Sequence, residues 1–110
     1  MSGRLPTHLA VGALLRRVND AGGFAVVRAR GDAQAGAMLV LVEGEGTRAF
    51  ERGIGVDGRP ALIESGPRDS ATESVEDYWR RRRSRDPDLW VVELSIPDAP
   101  RLVAEMLLAD

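Results

Sequence analysis

Apolar residues recur along the chain with two different periods, and the changes of period divide it into elements. Val11, Leu14, Leu15 and Val18 follow the i, i+3, i+4, i+7 spacing of one helix face, with Arg16 and Arg17 opposite. Thr7 stands where an N-cap belongs, and Gly22-Gly23 suits the left-handed backbone that ends a helix. "FAVVRAR" (24–30) then reads as a strand, with Phe24 and Val26 on one face and Ala25 and Val27 on the other. A "GDAQAG" loop leads to "AMLVLVE" (37–43), a run apolar on both faces and therefore a strand covered on both. "GEG" turns the chain into "TRAFER" (47–52), a hairpin with Phe50 as its inward anchor, and after "GIGVDGR" the segment "PALIES" (60–65) starts with a proline suited to a sheet edge.

Ser70 and Glu73 have the spacing of a capping box for a second helix, whose Val75, Tyr78, Trp79 and Arg82 share a face. Pro87 keeps Asp86 out of the helical region, so this helix ends by Arg85. "DLWVVELSI" (88–96) alternates as a strand, with Trp90, Val92, Leu94 and Ile96 facing one way and Leu89, Val91, Glu93 and Ser95 the other. Asp98 and Pro100 open a last helix with Leu102, Val103, Met106 and Leu107 as its apolar stripe. The expected fold is α+β in the order α-β-β-β-β-α-β-α: a mostly antiparallel five-stranded sheet with three helices, mainly on one face. Short turns suggest a meander of the first four strands, which the fifth rejoins after a helical crossover.

The length of 110 residues fits a single domain spanning 1–110. With no cysteine, disulfides, thiolate metal sites and a cysteine nucleophile are excluded. No apolar run reaches membrane-spanning length, and two arginines interrupt the first apolar segment, so a cytoplasmic protein without a signal peptide is expected. The net charge of −2 disfavours a nucleic-acid-binding domain.

Candidate chemistry is sparse. Gly53, Gly55 and Gly58 spell G-x-G-x-x-G, but a strand-like segment follows where a phosphate site needs a helix. His8, the only histidine, has no recognisable partner for nucleophilic catalysis. Asp86, Asp88 and Glu93 offer oxygen ligands without the spacing of a metal loop, and they also serve to end a helix and begin a strand. Glu43, Glu45 and Glu51 are expected to be solvated around a hairpin tip.

The run from Arg80 to Arg83, followed by Arg85, stands out. Glu73, Glu76 and Asp77 precede it, complementing the helix dipole and offering i, i+4 partners. Such pairs contribute only about 0.2–0.5 kcal/mol each, so helix stability alone does not call for four consecutive arginines.

"RLPTHLAVGALLRRV", "GGFAVVRARGDAQAGAMLVLV" and "DPDLWVVEL" together resemble an uncharacterised bacterial family, the domain-of-unknown-function family 1491. The Gly-Asp-x-x-Ala-Gly loop at 31–36 and Asp-Pro-Asp-Leu-Trp at 86–90 carry most of that resemblance. It implies a bacterial, cytosolic, single-domain protein and brings with it no activity and no catalytic residue.

The sequence therefore points to a non-enzymatic protein-binding or adaptor module. It is expected to use Arg80, Arg81, Arg83 and Arg85 against an acidic protein surface or a small anion, with no cofactor and no membrane contact. A homodimer through a sheet edge or an apolar helix face is compatible with it. The competing readings are a nucleic-acid-binding protein and a small metal-dependent enzyme built on acidic residues.

Overall fold

A computed structural model describes residues 5–67 and 73–109. In chain order the elements are α1 (Thr7–Asp20), β1 (Phe24–Ala29), β2 (Met38–Gly44), β3 (Gly46–Ile54), β4 (Pro60–Ser65), α2 (Val75–Arg85), β5 (Trp90–Ser95) and α3 (Ala99–Leu107). This is the expected order of three helices and five strands. The strands form one sheet in the order β1-β5-β2-β3-β4. Three of its pairings are antiparallel; β2 and β5 run parallel.

One expectation changes. β5 inserts between β1 and β2, so only β2, β3 and β4 form the meander. The chain from Arg30 to Ala37 is a crossing loop instead of a hairpin turn, which leaves the position between β1 and β2 open to a strand from later in the sequence. The helices lie mainly on one face, as expected: α1 and α3 cover it, and α2 covers the other.

This division explains the unbroken apolar run of β2, because a central strand under helices on both sides has no wet face. Val40 and Val42 meet Val11, Leu14 and Val18 of α1, Val103 of α3, and Phe50, Val92 and Leu94 of the sheet in one core. Leu39 and Leu41 meet Val75 and Trp79 of α2 with Ala49, Leu89 and Val91 in the other. At the edge, a β-bulge between Val27 and Ala29 offsets the register against β5 and brings Ala29 into the core beneath α2.

The helix starts differ from expectation too. Thr7 lies inside α1 after Pro6, and its hydroxyl donates to the Gly36 carbonyl at 2.7 Å. The first amides of α1 are satisfied by the 31–36 loop: Thr7 N–H donates to Gln34 O (3.1 Å) and His8 N–H to Ala33 O (2.9 Å). For α2 the cap is Ser74, whose hydroxyl accepts from the Asp77 amide at 3.0 Å. The proposed capping residue Ser70 lies outside the described residues. Asp98 precedes α3 as expected, but its side chain makes no capping bond and its backbone is left-handed (φ 60°).

The 31–36 loop is locked to the start of β5. Asp32 N–H donates to the Asp88 carbonyl at 3.0 Å, and the Trp90 indole donates to the Asp32 carbonyl at 2.7 Å. The Asp32 carboxylate accepts the amides of Gln34 and Ala35, which shapes the loop from within. Gly31 and Gly36 both press on Asp88: a Cβ at either position would sit 2.1 Å from its carbonyl oxygen. Gly31→Ala should therefore destabilise the protein by more than about 2 kcal/mol in urea unfolding. Gly12→Ala, whose Cβ meets nothing closer than 3.6 Å within α1, should instead stabilise it by about 0.5–1 kcal/mol.

Candidate functional site

The arginine-bearing helix is placed by its apolar stripe. Val75 and Trp79 are buried against the sheet, and at about 100° per residue the positions between them fall on two flanks. Glu76, Arg80 and Arg83 lie on the flank toward β1, whereas Tyr78, Arg81 and Arg82 lie on the flank toward β3 and β4. The consecutive arginines are thus divided between the two sides of α2.

On the β1 flank the Glu76 carboxylate is the hub. It accepts from Arg28 (2.9 Å), Arg80 (2.8 Å) and the Trp79 indole (3.2 Å). Arg28 also pairs with Glu93 of β5. The guanidinium groups of Arg28 and Arg80 lie 5.2 and 4.7 Å from the Trp79 ring centre, so the indole receives two cations while its N–H serves the carboxylate between them. Burial pushes the Glu76 carboxyl up, but hydrogen bonds from Arg80 and Trp79 and the charges of Arg28 and Arg80 outweigh it, leaving the group below the usual carboxylate range. The hydrogen bond to Glu93 is the main reason that the Arg28 guanidinium is held even more firmly in its charged form. Nearer the helix end, Arg83 donates to the Arg30 carbonyl at 2.6 Å, and Arg30 lies over the Trp90 ring.

On the other flank Arg82 binds Glu51 of β3 through two donors, at 2.6 and 3.2 Å, and donates to the Tyr78 hydroxyl at 3.1 Å. The Ser65 hydroxyl donates to the same carboxylate. Burial raises the Glu51 carboxyl, and the bonds from Arg82 and Ser65 with the Arg82 charge bring it below its ordinary value. Arg82 is correspondingly pushed up, first by its bond to Glu51. Arg81 grips Glu73 with two donors, at 3.0 and 2.9 Å.

Of the arginines singled out from sequence, Arg80, Arg81 and Arg83 are thus engaged within the fold. Arg85 makes no hydrogen bond or ion pair among the described residues. Glu51 is not solvated as expected: it is the anionic anchor of α2 on β3. Glu43 and Glu45 are exposed at the turn. The His8 ring approaches the Ala33 carbonyl at 2.9 Å; Gly53 lies in β3, and Gly55 and Gly58 form a turn closed by Gly55 N–H to Arg59 O. Among the described residues, no three histidine or carboxylate groups lie close enough together to hold a metal ion.

What the sequence reading missed is the surface beside β1. This strand is a sheet edge, and its α2-facing side exposes Phe24 (61%) and Val26 (38%). Next to them stand Arg28 from β1 and Arg80 and Arg83 from α2, while the Arg30 guanidinium lies over Trp90 on the opposite face of the sheet. Glu76 and Glu93 are the acids of this strip, so three positive charges against two negative leave a surplus of one. The only trace in sequence is that "FAVV" is apolar on both faces, which does not say which face a helix covers.

The profile of the family described as "Protein of unknown function (DUF1491)" matches residues 5–104. A crystal structure of a DUF1491 family protein from Caulobacter crescentus CB15 shares 33% identity, with 90% of this chain and 94% of that one covered and a TM-score of 0.71. An NMR structure of a DUF1491 family protein from the same bacterium gives 34% identity over 89% and 91%, also at 0.71. The solution structure of protein Atu0922 from A. tumefaciens shares 27% identity over 96% and 93%, at 0.65. No curated protein matches the chain.

The Glu51 pair has a measurable pH signature. A carboxyl held below its unfolded value stabilises the fold above the unfolded pKa, and that stability is lost as pH falls through the folded one. Glu51→Gln should cost about 1–3 kcal/mol at neutral pH, because Arg82 loses a charged acceptor. The gap between variant and parent in urea unfolding should narrow on acidification below about pH 4, as the parent carboxylate protonates.

Proposed function

The chain belongs to the DUF1491 family, and we propose that it is a non-enzymatic protein-binding module of the cytoplasm that takes an extended, acidic segment of its partner along β1. The carrying observation is one surface on which an open strand edge, two exposed apolar side chains and arginines from two elements coincide. An edge strand presents unpaired backbone donors and acceptors, and an added strand satisfies them while its alternate side chains select for sequence. Phe24 and Val26 supply the apolar contacts. Arg80, 61% exposed at its side chain, can exchange part of its contact with Glu76 for a partner carboxylate, to which a guanidinium binds through two parallel donors.

Acidic protein is favoured over nucleic acid on charge. A surplus of one on the strip, within a chain of net charge −2, suits a short acidic segment better than a phosphate backbone. None of the described helices is long and apolar enough to cross a membrane.

The reading is tested by NMR titration of the labelled protein with a peptide of alternating glutamate and valine, and separately with duplex DNA. The peptide should shift the amides of residues 24–29 and the side chains of Arg80 and Arg83. Arg80→Gln/Arg83→Gln should retain the fold by circular dichroism and weaken binding about tenfold, equivalent to roughly 1.4 kcal/mol. Unchanged affinity in the double variant would count against the proposal. So would shifts produced by DNA alone, or a second copy found on β1 by sedimentation.

A further inference from the structure

On the face opposite α2, between the start of α1 and the end of α3, lies a cavity of about 340 Å³. Leu5 and Ala10 form one wall, Met106 and Leu107 the other, and Met38 at the start of β2 part of the floor. Small residues at Ala35, Gly36, Ala37 and Ala109 leave the space unfilled. Arg52 also lines it, two residues beyond the core residue Phe50 on the same side of β3. A hollow of this size, walled by these apolar side chains but lined in larger part by polar atoms, with a single cationic contact, has the form of a small-molecule site.

We propose that this cavity binds an amphipathic carboxylate, with the tail among Leu5, Ala10, Met38, Met106 and Leu107 and the head on the Arg52 guanidinium. The volume accommodates about ten non-hydrogen atoms at about 30 Å³ each, the size of an eight-carbon monocarboxylate. The polar lining sets the sign of the head group. Glu51 reaches the cavity as well, but its carboxylate is held from the other face by Arg82 and Ser65. The Thr7 hydroxyl is committed to the Gly36 carbonyl. Arg52 already makes an interaction within the chain, and a guanidinium has five N–H donors, enough to serve a second acceptor. Charge complementarity therefore favours an anion over an alcohol or an amine of equal length.

Methyl-labelled methionine gives a direct readout, because Met38 and Met106 line the cavity and Met1 is the only other methionine. Octanoate should move the Met38 and Met106 methyl resonances and raise the melting temperature with concentration. Octanol should bind about tenfold more weakly and octylamine more weakly still. Arg52→Gln should remove the preference for octanoate over octanol, and Ala10→Phe, which fills the hollow, should abolish both. If Arg52→Gln fails to fold, Arg52→Lys serves in its place, with weakened octanoate binding and unchanged octanol binding. Static Met38 and Met106 resonances through millimolar octanoate would overturn the proposal. Octylamine binding as tightly as octanoate, or Arg52→Gln retaining the full preference, would overturn it equally.

Discussion

The carbonyl of Asp88, pressed between Gly31 and Gly36 and accepting the amide of Asp32, is the contact from which the rest of the architecture is set. It joins the end of β1, the start of β2 and the start of β5 at one point, and Trp90 closes it by donating its buried indole N–H to Asp32. Through the same loop the carbonyls of Ala33 and Gln34 cap α1. A buried donor or acceptor left unmet here would cost about 1–3 kcal/mol, so each bond constrains the next. The junction also joins two stretches far apart in sequence, 31–36 and 86–90. They are the two halves of one structural joint.

Once β5 lies between β1 and β2, the sheet has a central pair apolar on both faces, and helices are needed above and below it. α2 satisfies this with only two buried side chains, Val75 and Trp79. A helix with so narrow an apolar stripe needs further anchoring, which its charged flanks provide. Glu51 receives Arg82 on one side, and Glu76 gathers Arg28 and Arg80 on the other. The more exposed of these pairs contribute little each. The Glu51–Arg82 pair, with both side chains largely shielded, is the stronger constraint. The arginine run thus has a structural role that spreads over both flanks of the helix, and only part of it remains turned outward beside β1.

The two surfaces proposed for binding are consequences of the same layering. β1 is an edge because β5 pairs with only one of its sides, and α2 is too narrow to cover Phe24 and Val26 as well as the central strands. The cavity exists because α1 and α3 meet the sheet through small residues at one end, where alanines and a glycine stand in place of larger side chains.

Much of the architecture was legible in sequence because it depends on local periodicity. The eight elements, the double-sided burial of β2, the alternation of Trp90, Val92 and Leu94 against Leu89 and Val91, and the stop at Pro87 all follow from spacing and backbone sterics. Helix starts were read less well, since Thr7 satisfies a carbonyl 29 residues away and Ser74 takes the cap of α2. The candidate surface was legible only in its α2 half. Arg28, Phe24 and Val26 gain their meaning from a strand order that no local pattern encodes. A strand's own residues determine that it is a strand and which side chains alternate; which neighbour it takes is decided by long-range backbone pairing, here at a glycine-flanked carbonyl where β5 enters between β1 and β2.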